Sequence, residues 1–266
     1  MQQAHDFLKE SKLLYELLLG RNESDYELIT QFKNWSIEDV IGHLYLFNVA
    51  AIKTVDGPKS FEDFFIPFLQ QMQKGKTMVE AQVPWLNGLS GKFLLNKWWD
   101  SCLELEKIYS NIDPKLRVKW AGPEMSARSS ITARQMETWS HGHEVFDRLG
   151  QIRKEGDHIK NIVHLGVSTF EWTFLNRNIQ LPEIKPFISL NLPSETDISY
   201  NEQDDDNFIK GSAVEFCQVV TQVRNIDDTN LKVVGDVATT WMKYAQCFAG
   251  KPEDPPKKGA RFIQFN

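Results

Sequence analysis

Apolar residues recur three and four positions apart through the first 150 residues, then alternate with polar ones from residue 186 onward. That switch constrains the fold more than any other feature. Stripes with a helical period are buried by packing helix on helix, whereas period-two segments must pair as strands. Phe7, Leu8, Leu13, Leu14, Leu17 and Leu18 line one face of a helix over 5–19. Ser36 caps a second helix, with Asp39 three residues on in capping-box spacing. Its apolar side carries Ile37, Val40, Ile41, Leu44 and then Phe47 or Asn48. A third helix spans 60–81, interrupted at Pro67, and a fourth, rich in Leu and Trp, spans 89–110. D-P and G-P pairs without periodicity make 112–129 a long loop. A fifth helix over 130–149 ends on Gly150.

Beyond Gly150 the pattern is mixed. Helices are expected over 157–176, 212–224 and 236–249, and strands over 186–192, 196–200, 207–211 and 231–235. The expected organisation is therefore a helical domain over 1–150 and a smaller α+β domain over 151–266, with a Pro- and Lys-rich tail. Six of the eight tryptophans fall in the helical part, where the bulkiest core is needed.

Composition removes several functions. Acids outnumber bases 36 to 30, giving a net charge of −6, and no basic stretch offers a nucleic-acid face. Three cysteines (Cys102, Cys217, Cys247) with no C-x-x-C make no disulfide framework and read as buried thiols in a reducing compartment. The N-terminus lacks a basic region and a cleavage site, and no apolar run is long enough to span a bilayer. A cytoplasmic protein, free of membrane and nucleic-acid partners and acting on a small molecule, is the expectation; self-association stays open.

With only six histidines, each can be weighed. In R-Q-M-E-T-W-S-H-G-H-E-V-F-D-R-L-G, residues 134–150, Glu137 and His141 stand four apart. Each helical residue turns about 100°, so these two share a face, while His143 points about 200° away from His141. A third ligand must come from another element. His43 is the best candidate, because it projects from the apolar side of the second helix, where an imidazole needs a partner. Two His and one Glu form a ligand set of catalytic zinc, with a position left for water or substrate. The same residues are also read as a surface Glu–His pair and a core histidine bonded to a hydroxyl. Glu144, seven residues beyond Glu137, reads either as an orienting partner for a ligand or as a solvated residue.

W-S-I-E-D-V-I-G-H-L (35–44) and M-E-T-W-S-H-G-H-E-V-F-D-R-L-G (136–150) resemble the DinB/YfiT-like metal-binding superfamily. They are closer still to its mycothiol-dependent maleylpyruvate isomerase-like branch. Matching segments at 118–130, 164–174, 211–228 and 241–252 carry the resemblance along nearly the whole chain, in order. It implies an all-α, up-down four-helix bundle (DinB-like) holding a metal on His43, Glu137 and His141. It also implies a smaller α+β C-terminal domain similar to sterol-carrier folds. The implied cofactors are a divalent ion, zinc first and nickel or another second, and a low-molecular-weight thiol. The implied activity is that of a metal-dependent thiol transferase or maleylpyruvate isomerase-like enzyme. The alternative is a non-catalytic, metal-braced binding protein for an apolar ligand. Such a site needs cations for an anionic thiol or dicarboxylate, and Arg128, Arg134 and Arg224 are the candidates. Arg134 reads equally as a surface ion pair with Glu137, Arg128 as an exposed loop residue, and Arg224 as a helix-dipole partner.

Overall fold

Ser36 opens the helix that carries the first candidate ligand. Its hydroxyl accepts from the Asp39 amide at 3.0 Å, and the Asp39 carboxylate accepts from the Ser36 amide at 2.9 Å. Both groups would otherwise be orphans of a helix start. Ser36→Ala is expected to cost about 1 kcal/mol of stability, read as a lower urea midpoint at unchanged slope.

The structure is a computed structural model and describes residues 1–265. The chain divides into two compact units, Met1–Leu149 and Gly150–Asn266. In the first, the helices are α1 (Gln2–Leu18), α2 (Ile37–Val55), α3 (Pro58–Gln73), α4 (Met78–Leu86), α5 (Gly91–Asn111) and α6 (Ala127–Arg148). A two-stranded hairpin, β1 (Arg117–Val118) and β2 (Met125–Ser126), leads into α6.

α1, α2, α5 and α6 form a four-helix bundle in which α1 and α2 each pack on both α5 and α6. Its core holds Phe7, Leu14, Val40, Leu44, Leu94, Trp98, Cys102 and Ile131. Three sets of contacts fix the directions. The Met1 amino group donates to the Ser110 carbonyl at 3.0 Å, and Tyr15 stacks on Trp99, so α1 runs antiparallel to α5. Glu38 accepts from the Gly91 amide at 2.7 Å, and Tyr109 donates to the Ala51 carbonyl at 3.0 Å, so α2 and α5 run parallel. Asn48 meets Arg134 while His43 meets Glu137, so α2 and α6 are antiparallel. Simple up-down alternation is thus replaced by an up-down-down-up order, in which α2 runs parallel to α5 and α1 parallel to α6. The cause is the α3–α4 excursion, which returns the chain to the end of the bundle from which α2 began. Phe61, Phe65 and Phe68 of α3 and Ala81 of α4 bury a second cluster with Ala50 of α2.

Local differences from the sequence reading have local reasons. Pro67 sits inside α3 without ending it. The break falls at Gly75, in the left-handed region, and Thr77 starts α4 with its own capping box to Glu80. The expected loop over 112–129 contains the hairpin, and α6 begins three residues early because Ser126 caps it by accepting from the Ser129 amide at 3.1 Å.

The second unit contains α7 (Lys160–Ser168), α8 (Phe170–Asn176), β3 (Phe187–Asn191), β4 (Asp197–Tyr200), β5 (Phe208–Ser212), α9 (Ala213–Val220), β6 (Lys232–Val234) and α10 (Asp236–Tyr244). Its sheet has the order β4-β3-β5-β6, with β3 and β5 parallel and the other pairs antiparallel. Ile188, Leu190, Ile209, Phe216 and Trp241 are buried. The expected helix over 157–176 divides at Thr169, whose hydroxyl donates to the Leu165 carbonyl at 2.8 Å. The helices expected over 212–224 and 236–249 stop early, at Val220 and Tyr244. All three cysteines are buried, and burial pushes the Cys102 thiol up to about 12, so it is no nucleophile. Among the described residues, no helix is long and apolar enough to cross a membrane.

Candidate metal centre

One turn of α6 sets Glu137 and His141 side by side, and α2 brings His43 to them. His43 Nε2 lies 3.2 Å from Glu137 Oε2, and His141 Nε2 lies 3.5 Å from the same oxygen. One donor atom from each residue falls in a group spanning no more than 4.8 Å. Zinc bonds of about 2.0–2.1 Å in a tetrahedron need donors roughly 3.3–3.4 Å apart. The two His–Glu separations bracket that spacing. The donor chemistry and the spacing therefore fit a divalent ion.

The two imidazoles are buried among aromatic rings, while the Glu137 side chain keeps about a quarter of its surface exposed. His43 is 6% exposed and His141 8%. The Trp35 ring stacks on His141 at 5.7 Å, and Phe32 meets the same imidazole edge-on at 4.9 Å. Phe47 packs on His43 at 4.6 Å and is itself touched by Trp120. These rings fix the imidazole planes and exclude water from one side of the donors.

Burial pushes His43 down to about 4; the nearby charges of His141 and Arg134 add to the fall, and the hydrogen bond to Glu137 opposes it. Burial alone would raise Glu137, but hydrogen bonds from His141 and His43 hold it well below the usual carboxylate range. At neutral pH the site thus offers a neutral imidazole at His43 and a carboxylate at Glu137, the states a metal ion requires. Both shifts make the ion-free protein acid-labile. As pH falls from 6.5 toward 4, the unfolded chain protonates His43 first, so the stability carried by its neutral form is lost in that window. Below about 4.5, protonation of Glu137 in the unfolded chain acts in the same direction. Chelated wild-type protein is expected to lose on the order of 3 kcal/mol across the His43 window. His43→Phe should flatten that slope in urea titrations at stepped pH.

The arginines are distributed differently from one another. Arg134 is 1% exposed, so it is no surface ion pair. Its Nε donates to Asn48 Oδ1 at 3.1 Å and its Nη2 to the Leu44 carbonyl at 3.2 Å. Arg128 is exposed in the first turn of α6, nine residues before Glu137. At about 1.5 Å per residue that is some 13 Å away along the axis, and the structure does not bring it to the three ligands. Arg224 is half-buried in the second unit, beyond the end of α9, and donates to the Val223 carbonyl at 3.1 Å. His143 is buried against Trp139, on the side of α6 that helical geometry assigned it. Glu144 is buried, not solvated.

Sequence reasoning placed Phe47 and Asn48 on the apolar side of the His43 helix without giving either a site role, and it missed Phe32 and Trp35. Phe47 carried a usable signal, since it stands four residues beyond His43 on α2. Phe32 and Trp35 carried none, because they reach the imidazoles from an irregular segment.

A model of the mycothiol maleylpyruvate isomerase N-terminal domain matches residues 10–146. An uncharacterized protein of Mycobacterium tuberculosis (strains CDC 1551 / Oshkosh and ATCC 25618 / H37Rv) is 33% identical over 224 residues, which is 84% of this chain and 86% of that protein. The crystal structure of the mycothiol-dependent maleylpyruvate isomerase aligns with a TM-score of 0.51 at 14% identity, over 82% of this chain and 87% of that one. That of a histidine-to-alanine mutant gives 0.54 at 12%, over 84% and 88%. The likeness to these two structures is one of fold. The domain match runs from α1 almost to the end of α6 and takes in His43, Glu137 and His141. The chain therefore belongs to the mycothiol maleylpyruvate isomerase N-terminal domain family.

Proposed function

We propose that this protein is a thiol-dependent isomerase or S-transferase that works with a divalent ion held by His43, Glu137 and His141. The observation that carries the reading is the set of three donors within 4.8 Å of one another, two of them buried imidazoles against an aromatic wall. Membership of the mycothiol maleylpyruvate isomerase N-terminal domain family supports it, as does the fold shared with the mycothiol-dependent maleylpyruvate isomerase. Zinc is the first expectation for two imidazoles and a carboxylate, with nickel next. Such an ion supplies Lewis acidity that favours the anionic form of a thiol or of water at neutral pH.

The protein's own residues do the rest. His43 and His141 give imidazole nitrogens, and Glu137 gives the one anionic donor. Three protein donors leave a position for an exogenous ligand. Phe32, Trp35 and Phe47 keep the donors in register and shield them from water. Arg134 places a buried cation three residues before Glu137 on α6.

The test is a thiol panel of mycothiol, bacillithiol and glutathione, assayed with maleylpyruvate on protein of measured metal content. Isomerisation that needs both a thiol and the metal, and stops on chelation, is the expected result. Stoichiometric metal without thiol binding or turnover would replace the enzyme reading by a metal-braced binding protein.

A further inference from the structure

Arg134 is a buried cation whose hydrogen bonds go only to neutral acceptors. Asn48 Oδ1 and the Leu44 carbonyl take Nε and Nη2, and among the described residues Nη1 has no partner. The Phe47 ring lies 5.8 Å from its Cζ, and the same ring packs on His43 at 4.6 Å. A guanidinium kept out of water in this way is costly unless an opposite charge is near. The acid that attracts it is Glu137, one turn along α6.

Without a metal, the guanidinium and the carboxylate balance each other. With a divalent ion on His43, Glu137 and His141, the pocket becomes positive by the full charge of that ion. Electrostatic interactions are strong where Arg134, His43 and His141 are almost wholly out of water. An anion in the open position would relieve the excess, whereas a neutral ligand would not.

We propose that Arg134 sets the charge preference of the metal centre, favouring an anionic exogenous ligand over a neutral one while weakening affinity for the ion itself. This rests on the reading that His43, Glu137 and His141 hold the ion. Arg134 is a positioning residue in this role, acting through charge and touching neither ion nor ligand. It gives the open position a ligand class, a thiolate or another small anion.

The test uses the full-length protein and two readouts that need no turnover. Zinc affinity is measured by chelator competition. Ligand affinity is measured from the visible spectrum of cobalt-loaded protein titrated with thiocyanate (an anion) or imidazole (neutral). Arg134→Met is expected to bind zinc roughly tenfold more tightly and thiocyanate roughly tenfold more weakly, with imidazole within about threefold of wild type. Asn48→Asp, which sets a carboxylate on the guanidinium, should move both affinities in the same directions. Arg134→Lys keeps a basic group but loses the fork of donors, so it should shift both affinities less than Arg134→Met does. Opposite signs for zinc and thiocyanate are what a purely structural arginine would not produce. The proposal is overturned if Arg134→Met and Arg134→Lys weaken zinc together, if thiocyanate and imidazole shift alike, or if nothing shifts. If wild-type protein takes up no zinc, the metal reading fails first and the proposal with it.

Discussion

Glu137→Gln is expected to strip the protein of stoichiometric metal, weakening zinc binding by at least about a hundredfold. Changing a mere supporting partner of a metal ligand typically costs about 10–100-fold, so losing a donor sets a higher floor. Glutamine keeps the length of the side chain and an oxygen for hydrogen bonding, but it carries no charge. The carboxylate is the site's only anionic donor, and its oxygen lies within 3.5 Å of both imidazole nitrogens. His43→Ala and His141→Ala remove one nitrogen each and should have effects of the same order. Metal content after gel filtration and chelator competition report the loss, and far-UV circular dichroism checks that the helices remain. Three variants that retain metal as wild type does would show that the ion, if any, sits elsewhere.

Trp98→Ala should be the most damaging single substitution in the bundle, at about 3–5 kcal/mol. Its ring is fully buried, in the cluster that joins Phe7, Leu14, Leu44 and Cys102. A bundle held by four helices collapses only partly around a hole of that size. Phe93, on the same helix but 60% exposed, is the control, and its replacement by Ala should change stability by no more than about 0.5 kcal/mol. Urea unfolding at fixed pH measures both. Equal costs would place Trp98 outside the core.

The two halves of the site differed in how readily sequence gave them up. Glu137 and His141 are legible because a helix fixes the angle between residues four apart, and this needs no tertiary information. His43 is legible as an imidazole on an apolar face whose start is marked by the Ser36–Asp39 cap. The wall of Phe32 and Trp35 is not, since these residues approach from a segment without periodicity. Arg134 is a harder case. Its spacing to Glu137 suggested a surface pair, but the side chain turns toward Asn48 and Leu44 of α2, and only the pairing of α2 with α6 reveals that. The same limit applies to the fold. Helix periods were visible from residue 5 onward, whereas the parallel run of α2 and α5 depends on where the α3–α4 excursion delivers the chain. The hairpin at 117–126 was missed because strands of two residues leave no alternation to read.

The separation of His43 from Glu137 along the chain, 94 residues, has a kinetic consequence. A contact that distant closes late, after much loop entropy has been surrendered. Early collapsed forms cannot assemble the three donors, so an ion has little to bind until α2 has docked on α6. Metal should then leave the refolding rate almost unchanged and slow unfolding instead, by the full factor that its affinity and concentration supply. The ion would serve as a latch on the finished bundle, not as a seed for it.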